Sequence, residues 1–209
     1  LRIDLVGAPS SPQRTPNSRA TLPRRAVDLT QPPGRDFRTR DARLPPLEAS
    51  RTHRVDLTVR ERELEVAPAT TLAAMTYNGH FMGPVLRARL GDRMQVHLVN
   101  DGSMGHSIDF HASRSSPDTT MRTISPGRSL DVEFTIDHAG IWLYHCSTMP
   151  MSAHIAAGMF GALIVAPADL PTVDRQYVLV QSETYLAEQN NQPVDTGKIA
   201  DEKVDLTMF

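Results

Sequence analysis

From Ile141 to Met159 the chain reads Ile-Trp-Leu-Tyr-His-Cys-Ser-Thr-Met-Pro-Met-Ser-Ala-His-Ile-Ala-Ala-Gly-Met, and this stretch holds the sole cysteine of 209 residues, Cys146. An apolar run between a glycine and a proline-containing loop is the outline of a buried strand. His154 follows Cys146 after seven intervening residues, and Met159 lies five positions further on. A thiolate, an imidazole and a thioether gathered at a strand end are soft and borderline ligands of the kind that select copper. The fold around this strand has to deliver one further histidine to complete such a site.

Composition narrows the classes available. One cysteine rules out an internal disulfide framework and leaves the redox compartment open. Hydrophobic residues make up 40% of the chain, enough for an ordinary core, and a net charge of −2 points neither to nucleic acid nor to an anionic membrane surface. The charge is uneven: residues 1–51 carry ten arginines against five acids, a local +5, leaving −7 on the other 158 residues. Residues 8–51 also hold eight of the sixteen prolines. Such a composition buries too little surface to offset its ordering entropy, so residues 1–51 are expected to form an extended Pro/Arg-rich linker or arm. A basic docking arm for a partner subunit or an acidic redox protein is the alternative. No apolar run reaches the roughly 18–20 residues a membrane helix requires. The chain opens on Leu1, and Val204 to Phe209 alternates like a strand and stops without a turn. It is therefore read as part of a longer protein, and no targeting signal can be inferred from it.

From Thr52 onward the pattern is that of strands. His53 to Arg60 alternates with Val55, Leu57 and Val59 on one face, and Leu64 and Val66 continue the run. Val85–Ala88, Met94–Val99, His106–His111, Leu130–Ile136, Ile141–Cys146, Gly161–Val165 and Arg175–Thr184 follow, with turns at Asn78-Gly79, Gly83-Pro84, Gly91-Asp92 and Asn100-Asp-Gly102. Short strands punctuated this way, with no strongly helical segment before about residue 170, predict an all-β Greek-key β-sandwich. Residues 185–203 read as a polar connection.

Strand periodicity then sorts the ligands. Successive side chains point to opposite faces, so His106, Ile108 and Phe110 share one face, while Ser107, Asp109 and His111 share the other. Likewise Trp142, Tyr144 and Cys146 oppose Ile141, Leu143 and His145. With His106 and Cys146 turned inward, Asp109, His111 and His145 gather on the outer face. The inner set His106, Cys146, His154 and Met159 is a trigonal His₂Cys site with a weak axial thioether, an electron-transfer copper centre. Met149 and Met151 compete for the axial role and are assigned to loop packing. His111 and His145 can bind a second metal, which two imidazoles alone leave incomplete. The remaining histidines, His53, His80, His97 and His138, are expected to be solvated.

Taken together, Asn78-Gly-x-x-x-Gly83-Pro84, His106-x-x-Asp109-Phe-His111, His145-Cys146 and His154-x₄-Met159 resemble the first domain of copper-containing nitrite reductases and related multicopper oxidases, over about residues 52–185. The resemblance implies a cupredoxin-like sandwich over residues 52–170. Residues 171–209 then form an interdomain strand and linker plus the first strand of a truncated second cupredoxin domain. It implies that His106, Cys146, His154 and Met159 hold a type 1 copper and that His111 and His145 hold a type 2 copper. Asp109 matches the acidic residue that hydrogen-bonds bound substrate and relays protons. In that family a histidine from a neighbouring subunit of a homotrimer completes the type 2 site, and a further catalytic histidine lies in the second domain. Nitrite as substrate, an external electron-donor protein and an extracytoplasmic location, periplasmic or at the cell surface, follow from the same resemblance. The sequence departs from well-known members in a loop from Cys146 to His154 that is one residue shorter, and in Ala153 where they have tryptophan before the copper histidine.

The implied chemistry is one-electron reduction of nitrite, with two protons, to nitric oxide and water. The electron passes from the type 1 copper through Cys146 and the adjoining peptide to His145 and the type 2 copper. Opposed neighbours on one strand set the two metals roughly 10 Å apart, from one residue rise plus two side chains. A laccase-like multicopper oxidase is the first alternative, but its trinuclear cluster needs histidine where Asp109 and Ser147 stand. An electron-transfer cupredoxin with no second metal is the other. The 209-residue chain by itself is expected to be inactive.

Overall fold

In the computed structural model residues 26–35, 37 and 39–209 are described. Residues 1–25 of the expected arm, with 36 and 38, lie outside the described residues. A four-stranded sheet runs in the order β2-β1-β4-β6, built from Thr70–Tyr77 (β2), Thr52–Ala67 (β1), Arg93–Asn100 (β4) and Ser129–Thr135 (β6). The second runs β3-β8-β7-β5, from Leu86–Arg89 (β3), Phe160–Ala166 (β8), Gly140–His145 (β7) and Asp109–Phe110 (β5). Buried residues from both sheets meet in one hydrophobic cluster. This is the cupredoxin-like β-sandwich expected from the strand pattern and the resemblance.

The first sheet shows why alternation forces the sandwich. In register, Leu57 lies beside Leu98 and Leu98 beside Leu130, while Val55, Val96 and Val132 form the next row. Leu57, Leu98, Leu130, Val96 and Val132 are all buried. Each fully buried side chain of this size is worth about 1.5–3 kcal/mol relative to exposure. A slip of one residue would turn every one of them outward, so the core itself fixes the register. In the second sheet Tyr144 fills the same interior, donating from its hydroxyl to the carbonyl of Pro84 at 2.6 Å. A side chain on Gly83 or Gly161 would collide with its ring, which accounts for glycine at both positions.

The structure corrects several expectations. His53 is buried rather than solvated, because it is in phase with Leu57 and Val59 on the inward face of β1. Its Nε2 lies 2.7 Å from the buried Asp92 carboxylate, which also pairs with Arg51 at 2.7 Å. His80 is exposed, His138 is partly buried, and His97 pairs with Asp131 at the surface at 2.7 Å. The strand expected over Arg175–Thr184 is reduced to Ser182–Thr184 (β9), with Tyr177 bridging to Arg43. The stretch 185–203 is not only a polar connection: it buries Tyr185, Leu186 and Val194 and contains a short helix, Thr196–Ala200. Leu206–Met208 (β10) forms a strand, as expected, and pairs antiparallel with β9.

The described part of the arm lies against the sandwich. Arg40 donates to the carbonyls of Met82 and Gly83, Arg87 to that of Pro45, and Arg89 to that of Glu48. Backbone bonds Leu44–Gln176 and Val178–Ala42, at 2.9 and 2.8 Å, tie it to the segment before β9. Among the described residues, no helix is long and apolar enough to cross a membrane.

Candidate metal centres

Two ligand groups form where β5, β7 and β8 end. The first joins His106, Cys146 and His154, all buried, with one ligand atom from each lying within 4.8 Å of the others. Cys146 extends β7 by one residue: its N–H donates to the Met159 carbonyl at 3.1 Å, and the Met159 N–H donates to the His154 carbonyl at 3.1 Å. His154 lies on a short helix, Met151–Ala156 (α2, following the one-turn α1 at Pro117–Thr120), where the sequence pattern suggested only loop. Its Nδ1 is 3.3 Å from Cys146 Sγ, and His106 Nδ1 is 4.0 Å away. Met159 is fully buried, whereas Met149 is 79% and Met151 40% exposed. Both competing methionines therefore turn to solvent rather than packing in the loop.

Burial alone would push the Cys146 thiol up, but hydrogen bonds from His106 and His154, and from the backbone at Ser107 and Thr148, outweigh it and bring it down to about 5. A thiolate with two imidazole nitrogens in a buried pocket is the donor chemistry that copper prefers among first-row ions. The side chains present fit that metal.

The second group joins Asp109, His111 and His145, again with ligand atoms within 4.8 Å. Antiparallel pairing sets Asp109 directly opposite His145, and the His111 N–H continues the ladder to the Leu143 carbonyl at 3.1 Å. His111 Nε2 lies 3.0 Å from His145 Nε2 and 3.3 Å from Asp109 Oδ2. His145 Nδ1 is held 3.0 Å from the Cys146 carbonyl, which leaves Nε2 aimed at His111. Asp109 and His145 are buried, but the His111 side chain is 43% exposed. Imidazole and carboxylate donors with one open side suit an ion that must also bind a small ligand.

The histidines, cysteine and aspartate assigned to the two sites from the sequence thus fall into these two groups, and Met159 is tied to the first through its backbone. Two polar neighbours escaped the sequence reading. Ser107 accepts from the Ser147 N–H at 3.0 Å and lies 3.8 Å from Cys146 Sγ. Glu61, on β1, places its carboxylate 3.1 Å from His106 Nε2. Burial raises that carboxyl, but hydrogen bonds from His106 and the Ser103 N–H outweigh it and hold it below its ordinary value. Its signal was available, since a glutamate stands in phase with the inward Leu57 and Val59, and a buried polar group is the informative exception on such a face.

Residues 58–169 match the family model described as multicopper oxidase. The chain belongs to this multicopper oxidase family. It is 30% identical over 164 residues to the copper-containing nitrite reductase of Neisseria gonorrhoeae, covering 75% of this chain and 42% of that protein. The Rhizobium sullae protein of the same name is 33% identical over 177 residues, covering 82% and 46%. Among solved structures, a copper nitrite reductase from Nitrosomonas europaea superposes with a TM-score of 0.67 at 37% identity, covering 75% of this chain and 55% of that one. A multicopper oxidase superposes at 0.62 with 31% identity, covering 66% and 52%. The chain spans under half the length of these curated relatives. The family is one of copper oxidoreductases.

Proposed function

We propose that this chain is the first domain of an NO-forming nitrite reductase, with a type 1 copper at His106, Cys146, His154 and Met159 and a type 2 copper at His111 and His145. The observation that carries the reading is the carboxylate of Asp109 opposite His145. A trinuclear oxidase would need a further imidazole there and another at Ser147. An aspartate instead brings a proton carrier beside a mononuclear site. When bound, copper would supply one-electron transfer at the inner site and Lewis acidity toward nitrite at the outer one.

The protein's own part follows from its geometry. Cys146 and His145 are adjacent, so a single peptide joins the two ligand groups and offers the shortest covalent route for an electron. The bond from His145 Nδ1 to the Cys146 carbonyl orients the imidazole on that route. Asp109 lies within reach of the open side of the outer group, where it hydrogen-bonds nitrite and delivers protons. Nitrite, one electron and two protons then give nitric oxide and water.

A third protein ligand for the outer site comes from a neighbouring subunit in a homotrimer. Support for that surface is the outward face of β7, where Ile141 is 80% and Leu143 39% exposed beside the half-exposed His111. Exposed apolar side chains grouped next to a ligand set favour a protein contact over bulk water. An external electron-donor protein and an extracytoplasmic location belong to the same proposal. By itself the 209-residue chain should not turn over nitrite, because its outer site is unfinished.

Copper content and EPR of the full-length protein, with nitric oxide measured from nitrite, test the reading. One blue copper and one mononuclear second copper per chain are expected, and His106→Ala should abolish the intense thiolate-to-copper absorption. A trinuclear signal with O₂ consumption would establish a laccase-like oxidase instead, and a blue copper alone an electron-transfer protein.

A further inference from the structure

His106 is the inner ligand that comes from outside the Cys146–Met159 stretch, and its orientation has a separate origin. It is fully buried, its Nδ1 facing Cys146 Sγ at 4.0 Å. On the other side of the ring, Nε2 meets Glu61 Oε1 at 3.1 Å. Glu61 is 26% exposed in its side chain and belongs to β1, in the sheet opposite the one that carries Cys146. Its carboxylate is itself fixed. The Ser103 N–H donates to both of its oxygens, at 3.1 and 2.9 Å. It also occupies the space above Gly102, where an added Cβ would lie 2.7 Å from Oε1. The loop that leads to His106 is thus shaped to receive this carboxylate.

We propose that Glu61 is a positioning residue for the inner copper: it holds the Nε2–H of His106, keeps the Nδ1 lone pair aimed at the metal, and lowers the reduction potential with its negative charge. A ligating histidine whose other nitrogen donates to a carboxylate has its tautomer and ring orientation set, and is made more basic. The added anionic charge favours the more highly charged, oxidised metal. The inference rests on the copper reading of the inner group and adds to it a residue that touches neither copper nor nitrite.

The test uses Glu61→Gln and Glu61→Ala in the full-length protein, with copper affinity and a redox titration followed through the blue absorption. Glu61→Gln keeps an oxygen for the His106 N–H and loses the charge, so its potential should rise while its spectrum stays close to wild type. Glu61→Ala loses both and should bind the inner copper roughly 10–100-fold more weakly. Gly102→Ala, which pushes the carboxylate away, should shift the potential in the same direction as Glu61→Gln. If Glu61→Ala does not fold, the potential of Glu61→Gln decides the matter. A wild-type blue band with the Glu61→Gln potential unchanged would overturn the role of Glu61 alone. A wild type without the thiolate–copper band would overturn the copper reading, and this proposal with it.

Discussion

Asp109 and His145 face each other as direct partners in the antiparallel β5–β7 ladder. Because the pair is set by backbone register, the carboxylate cannot drift from the imidazole without breaking the strand. Asp109→Asn keeps size and polarity but removes the proposed proton carrier. In the full-length protein this change should lower nitrite turnover by about 100-fold or more, the usual scale of general acid–base catalysis. The pH dependence of the rate should change, while the blue absorption stays as in wild type. Unaltered turnover and pH profile would remove Asp109 from the reaction.

The metal-free chain should carry Cys146 as a thiolate at neutral pH. Its folded value of about 5 lies below the ordinary 9.0, so the ionised form is the one that folding favours. The stability this contributes is complete above the unfolded value, and it is lost as pH falls through about 5. Ultraviolet absorbance of the thiolate, followed on acid titration of the metal-free protein, should show a midpoint near 5 that Cys146→Ser abolishes. A midpoint in the ordinary thiol range would mean that His106 and His154 do not hold the anion.

Much of this site was legible because strand periodicity is local. Alternation along Ile141–Cys146 separates His145 from Cys146, and the structure keeps them in different ligand groups. What was hidden depended on contacts between distant segments. Only the last three residues of Arg175–Thr184 pair as a strand, while Tyr177 bridges to the arm at Arg43, a choice made by tertiary neighbours and not by propensity. The burial of His53 required knowing that Asp92 would meet it from the β3–β4 turn. Glu61 meets His106 across 45 positions of sequence. No pattern within a window could pair those two, although the charge on an inward-facing position marked Glu61 as anomalous.

Leu98 tests whether the sandwich core is rigid or adaptable. It lies in register between Leu57 and Leu130 in the middle of its sheet, and all three are buried. Neither neighbour can close over the gap without breaking the ladder. Leu98→Ala should therefore cost about 2–5 kcal/mol in urea unfolding of the metal-free protein. A cost under about 1 kcal/mol would show a core that relaxes into the gap, contrary to close packing.

The apolar outer face of β7 makes a different demand. Ile141 is 80% exposed, so it adds little to the stability of this fold, and a substitution at such a position usually stays within about 0.5 kcal/mol. If that face is covered by a neighbouring subunit, Ile141→Ser with Leu143→Ser should leave the unfolding midpoint of the isolated chain nearly unchanged. The full-length protein should nevertheless lose trimer on sedimentation and, with it, the second copper. The blue copper should remain, since His106, Cys146 and His154 are buried on the inward side. Loss of the second copper from an intact trimer would separate assembly from site completion. Retention of both trimer and second copper would place the subunit contact elsewhere on the sandwich.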